Sequence, residues 1–134
     1  MKTIGLDGNE FSMTLTGLTA KSSLNNKSSF HLSARDLLKD IYPTLQIIEE
    51  VPIQIRRSET LYMDFFIPMS KKCIEVHGEQ HYKFTAFYHR SKIDFLKQQK
   101  RDRDKKEWCY INNIQYIELA YNKQEEWSEI INNA

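Results

Sequence analysis

Cysteine is scarce in this chain, and the way it is placed excludes two common architectures. Cys73 and Cys109 stand 36 residues apart in apolar segments. With no Cys-x-x-Cys and no Cys-His spacing, they indicate neither a disulfide framework nor a zinc site. Both read as reduced core residues of a cytoplasmic protein. Long apolar runs are missing too. No stretch approaches the roughly 18 residues of a membrane span, and no charged-then-apolar signal region is present, so neither a membrane partner nor secretion is expected. The net charge of +1 is too small for a strongly basic architectural protein. There are no internal repeats, and 134 residues suffice for one domain with a real core and little more.

The distribution of charge says more than its sum. From Val51 to Lys106 there are 13 Lys and Arg against 7 Asp and Glu, a balance of +6, and the remainder carries 6 against 11, a balance of −5. Basic charge surrounds an acidic cluster. Either a polyanion approaches that face, or the run is a solvated helix surface.

Turn signals and periodicity give the order of elements. Asp7-Gly8 between strand-like flanks predicts an N-terminal hairpin over 1–20. The Ser-, Asn- and Lys-rich stretch over 21–32 reads as a loop. Ser33 with Asp36 three residues on predicts a capped helix from Ala34 to Tyr42, ended by Pro43. Gln46 to Ile55 is a strand, and Pro52 makes it an edge or bulged one. Two more strands follow within Leu61 to His81. Ser91 to Asn113 is the longest helical pattern, with Asn112-Asn113 suited to a left-handed cap. Ile114 to Leu119 is a further strand, and Gln124 to Ile131 a last helix within 122–134, with Trp127, Ile130 and Ile131 on one side. The fold class is therefore α/β, a mixed central sheet with flanking helices, its last strand arriving by a helical crossover.

The chemistry concentrates in LYMDFFIPMSKKCIEVHGEQH, residues 61–81. Each of the two apolar strands carries one acid, Asp64 and Glu75. A carboxylate inside a buried strand is costly unless it is paired or holds a metal. Pairing the strands brings Asp64 and Glu75-Val76-His77 to one end of the sheet, with His81 just past Gly78. That is an oxygen-rich, imidazole-containing cluster suited to a hard divalent cation and an activated water. On the long helix, heptad spacing puts Phe95, Asp102 and Cys109 on one stripe. Asp102 either faces the sheet or belongs to the solvated charges of RDRDKK. The segment Tyr82, Lys83, Phe84, Phe87, Tyr88, His89, Arg90 either stacks on nucleic-acid bases or packs as a loop on the sheet.

At Asp64, Glu75, His77 and Gly78 the arrangement resembles the PD-(D/E)XK nuclease superfamily, whose core order is αβββαβ. Met63-Asp64 stands for the Pro-Asp pair, and Glu75-Val76-His77 for the acid-x-lysine triplet, with histidine in place of lysine. Within it, the chain over 33–121 is most similar to very-short-patch mismatch-repair endonucleases and to phage homing endonucleases named for an EDxHD pattern. Asp36 would take the helix acid's place, Asp64 the strand aspartate's, Val76 or Glu75 the variable position, His81 the histidine's and Asp102 the last. The structural zinc residues of the repair enzymes have no counterpart here.

The resemblance implies Mg²⁺-dependent hydrolysis of double-stranded DNA. Asp64 and the carbonyl of Val76 would hold the metal, and His81 would take a proton from water, a role open to imidazoles at neutral pH. His77 would contact the scissile phosphate, and Asp102 would orient the histidine. Arg101, Arg103, Lys105, Lys106, Lys83 and Arg90 would grip the DNA backbone, which favours affinity over sequence choice. So small a chain has limited surface for reading a long site, and a homodimer or larger assembly is expected.

Overall fold

The computed structural model describes residues 1–15 and 28–134. Strands β1 (Lys2–Ile4) and β2 (Glu10–Ser12) form an antiparallel hairpin. Then come α1 (Ser29–Ile41), β3 (Ile48–Arg56), β4 (Glu59–Ile67), β5 (Lys72–His77), α2 (Lys92–Ile111), β6 (Gln115–Ala120) and α3 (Trp127–Asn132). The strands β3 to β6 form one sheet in that order. β3, β4 and β5 are antiparallel neighbours, and β6 returns parallel to β5 after the α2 crossover. This is the α/β fold expected, with its mixed sheet, flanking helices and N-terminal hairpin.

Two apolar clusters hold the layers together. On one face Trp108 and Cys109 of α2 pack with Met63, Phe66, Cys73, Val51 and Ile53. On the other, Ala34 and Leu38 of α1 and Trp127 and Ile131 of α3 pack with Phe65, Ile67, Ile74 and Leu119. β3 is an edge strand, which is why Pro52 is tolerated, and its register with β4 shifts between Gln54 and Arg56. Among the described residues no helix is long and apolar enough to cross a membrane.

The hairpin completes the fold. Asn112 at the end of α2 clasps Ile4, accepting from its N–H at 2.8 Å and donating to its carbonyl at 2.9 Å. The Leu6 N–H reaches the Ile55 carbonyl at 2.7 Å. Gly8 sits at φ +80° in the turn, where glycine is free of the Cβ penalty.

Helix α1 departs from expectation. Its N-cap is Ser28, whose hydroxyl accepts from the His31 N–H at 3.1 Å, five residues before Ser33. Residues 29–32, expected to be loop, are thus helix, and the part of that loop before residue 28 lies outside the described residues, as do 16–20 of the expected hairpin span. The helix stops at Ile41, ahead of Pro43, as the bar on helical φ/ψ before proline requires.

Helix α2 runs as read, capped by Ser91 and closed by Asn113 at φ 57°. Exposed Lys71, before β5, also adopts a positive φ, 50°. A side chain with a Cβ is disfavoured there, so Lys71→Gly is expected to raise the unfolding free energy by about 0.5–1 kcal/mol. Urea titration would report it as a higher midpoint at unchanged slope.

Candidate active site

The site grows from an interruption in the sheet. Pairing of β4 with β5 runs Ile67↔Lys72, Phe66↔Cys73, Phe65↔Ile74 and then stops. The next pair would be Asp64 opposite Glu75. Their side chains replace the ladder: the Asp64 N–H donates to Glu75 Oε2 at 2.7 Å, and the Val76 N–H donates to Asp64 Oδ2 at 2.9 Å. Each carboxylate thereby satisfies a backbone donor left by the splayed strands. Glu75 is 1% exposed, and burial together with the Glu75 charge pushes the Asp64 carboxyl up to about 7.

Lys105 of α2 answers that negative charge. Its ammonium lies 2.7 Å from Glu75 Oε1, with 15% of its side chain exposed. Burial alone would lower its pKa, but the Glu75 carboxylate outweighs burial and holds it above the ordinary value. This corrects the expectation that Lys105 grips a DNA backbone: it is committed inside the protein. Arg101, Arg103, Lys106, Lys83 and Arg90 are exposed, as a backbone-gripping role requires.

A second cluster follows at the end of β5. His77 closes the strand, Gly78 leads into a single 3₁₀ turn over Glu79–His81, and the two imidazoles stack at 4.0 Å between centroids, nearly parallel at 3°. His81 Nδ1 lies 2.8 Å from Asp102 Oδ2, and His77 Nε2 4.0 Å from Asp102 Oδ1. Asp102 thus faces the sheet, as the inner stripe of the long helix allowed. Burial, and the like charge that His81 can carry, push the His77 pKa down. An open cleft of about 230 Å³ is lined by these groups with Tyr82, Arg103 and Glu118. The two clusters adjoin, since His77 follows Glu75 by two residues on β5 and Asp102 precedes Lys105 by three on α2, each pair on one face of its element.

Among the described residues, the His, Cys, Asp and Glu side chains able to share one ion are His77, His81 and Asp102, with ligand atoms within 4.8 Å of one another. Asp64 lies outside this group, and Val76 meets it through its amide rather than its carbonyl. Asp36 does not join either cluster. It is exposed, because α1 turns His31, Ala34, Arg35 and Leu38 inward instead.

Several functional-looking groups were not foreseen. Glu118 of β6 accepts from the Tyr82 hydroxyl at 2.6 Å and stands 3.4 Å from His77 Nδ1. Its only sequence signal was its place on the polar side of an alternating strand. Buried Glu49 binds both His31 Nε2 and Arg35 Nη2 at 2.7 Å, and although burial raises its pKa, these partners bring it below the ordinary value. Asp104, not Asp102, is the buried acid of the RDRDKK run, and it takes Arg56 and Lys100 at 3.1 Å each.

No family model and no solved structure matches the chain. Two curated viral proteins are similar to it over 61 residues: Uncharacterized protein 307L of Invertebrate iridescent virus 6, 41% identical, and Uncharacterized protein 033L of Invertebrate iridescent virus 3, 39% identical. The aligned part is 46% of this chain and 31% of each relative, so the match spans about a third of the length of those proteins.

Proposed function

We propose that this chain is a metal-dependent DNA endonuclease that hydrolyses phosphodiester bonds, and that it acts as a homing endonuclease. The observation that carries this reading is the His81–Asp102 pair beside the Asp64–Glu75 pair at the splayed end of β4 and β5. With its Nδ1–H donated to Asp102, His81 has Nε2 as the nitrogen that takes a proton from an attacking water. Asp102 fixes the ring and stabilises the imidazolium that forms. His77 is 2% exposed, with Glu118 Oε1 3.4 Å from its Nδ1 and the His81 ring stacked on it, so it supports His81 rather than reaching a phosphate as the resemblance implied.

The residues fit Mg²⁺. Asp64, with the Val76 carbonyl, would supply hard oxygen donors, while Glu75 stays engaged with Lys105 and the Asp64 N–H, and the negative charge that lifts Asp64 is what a dication relieves. When bound, the metal would orient a phosphate oxygen and offset charge developing on the phosphate. Exposed Arg101, Arg103 and Lys106 on α2 form the cationic surface for the DNA backbone. That both similar proteins are viral agrees with a virus-borne nuclease.

One observation favours a second reading, a repair or junction nuclease acting on distorted duplexes. The segment before α2 exposes Tyr82, Phe84, Phe87 and Tyr88, with Phe87 at 87%, and exposed aromatics of this kind wedge between bases. A pool of plain, mismatched and branched duplexes incubated with Mg²⁺, followed by sequencing of the ends, separates the two. Homing predicts one long shared sequence at the cuts. Cuts at mismatches or branches without shared sequence would assign the repair reading, and binding without any cut would reduce the chain to a DNA-binding module.

A further inference from the structure

We propose that Gln98 and His89 are positioning residues that set the tautomer of His81, an inference that rests on the reading of His81 as the proton acceptor. The chain of hydrogen bonds has one anchored end. The Thr85 backbone N–H can only donate, and it donates to His89 Nδ1 at 3.1 Å. That nitrogen therefore carries a lone pair, and the proton of His89 sits on Nε2. His89 Nε2 lies 2.7 Å from Gln98 Oε1 and donates to it.

The carboxamide of Gln98 is thereby oriented, its NH₂ turned to His81 Nε2 at 3.4 Å. Facing a donor, His81 Nε2 must be the unprotonated nitrogen. The proton then sits on Nδ1, where Asp102 Oδ2 accepts it at 2.8 Å. Reversing any link would set two donors or two lone pairs face to face. The contact to His81 is the longest of the series, so the Nε2 lone pair is only weakly engaged and an incoming water displaces the amide there.

His89 is built to hold this direction. It is 4% exposed, and its ring is packed by Phe84 at 5.7 Å and by Phe95 edge-on at 5.4 Å. Asp102 alone holds the ring by one bond, at Nδ1, and rotation of the ring out of that bond would free Nδ1 and let the proton move to Nε2. Gln98 removes that choice.

The test reads the imidazole nitrogens directly. In protein labelled with ¹⁵N at histidine, free of metal and DNA at about pH 8, where an ordinary histidine is neutral, His81 is expected to be protonated at Nδ1 and His89 at Nε2. Gln98→Ala, on the half-exposed side of α2, is expected to give a mixture of His81 tautomers. It should also lower kcat roughly tenfold, part of the roughly 10²- to 10⁴-fold that an oriented general base contributes in full, with KM unchanged. His89→Ala should do the same, and His89→Gln, which keeps an N–H donor near the Nε2 position, should restore both readouts. A native His81 protonated at Nε2, or a folded Gln98→Ala protein with an unchanged tautomer, overturns the proposal. Because the spectra need no substrate, a native protein that never cleaves DNA would defeat the nuclease reading and leave this result standing.

Discussion

Lys105→Met is expected to cost about 3–5 kcal/mol of folding free energy. The reason is what it leaves behind. Glu75 is 1% exposed and its Oε1 has Lys105 at 2.7 Å, so removing the ammonium strands a carboxylate inside the sheet, where an uncompensated charge is far worse than no charge. Domains of this kind are stable by about 5–15 kcal/mol in all, so the loss would be a large share of the whole. Adding Glu75→Leu to Lys105→Met should recover most of it, since a buried ion pair replaced by packed apolar groups is often neutral or better. The double-mutant cycle in urea gives the coupling directly. A single-variant loss under about 1 kcal/mol, the value of a solvated surface pair, would mean that Lys105 grips something outside the protein after all.

Asp64→Asn should move stability the other way while removing activity. The folded-state pKa of Asp64 is pushed up to about 7 from an ordinary 3.8, by burial and by the Glu75 charge. A raised pKa means that the native state holds the proton more tightly than the unfolded chain. The associated stability is fully present below about pH 4 and is lost as pH rises through about 7. At pH 8 the native protein therefore carries a destabilising charge that asparagine lacks.

A shift of that size corresponds to about 4 kcal/mol. Asp64 is only partly shielded from solvent, and solvent screening on its open side leaves about 2 kcal/mol, roughly 6–10 °C in Tm for a chain of this length. The difference between variant and native Tm should shrink toward zero as pH approaches 4. Cleavage should fall roughly 10²- to 10³-fold, the range for losing one group that stabilises transition-state charge. An Asn variant less stable than the native protein at pH 8 would show that Asp64 carries no such penalty.

The order of elements was legible because local signals agree with the fold. Alternation marks β3 and β4, Pro52 marks the edge, and Ser91 and Asn113 bracket α2. The juxtaposition of Asp64 with Glu75 was legible because two acids in adjacent apolar strands separated by a short turn must meet if the strands pair. Helix α1 was misjudged because its inner face is partly polar: His31 and Arg35 are buried against Glu49, which hides the apolar period before Ala34. The resemblance then put Asp36 in the helix acid's place, on a residue that α1 turns outward.

Lys105 and Asp104 were missed for a different reason. In KRDRDKK every residue has the composition of a solvated face, and only rotation about the axis tells them apart. A signal was present, since Trp108 follows Asp104 by four residues and Lys105 by three, the spacing of a shared helix face. Glu118 required the β5 to β6 register, Glu75↔Glu118, which no local pattern encodes.

The most direct measurement of the central claim, that the two clusters make one hydrolytic site, is single-turnover cleavage of a duplex in Mg²⁺ by the native protein, His81→Ala and Asp64→Asn, each verified as folded. The expected result is cutting by the native protein and a loss of roughly a hundredfold or more in each variant, with DNA binding retained. Undiminished cutting by both folded variants would place the chemistry elsewhere. No cutting by the native protein, with DNA still bound, would mean that these acids and histidines serve the fold.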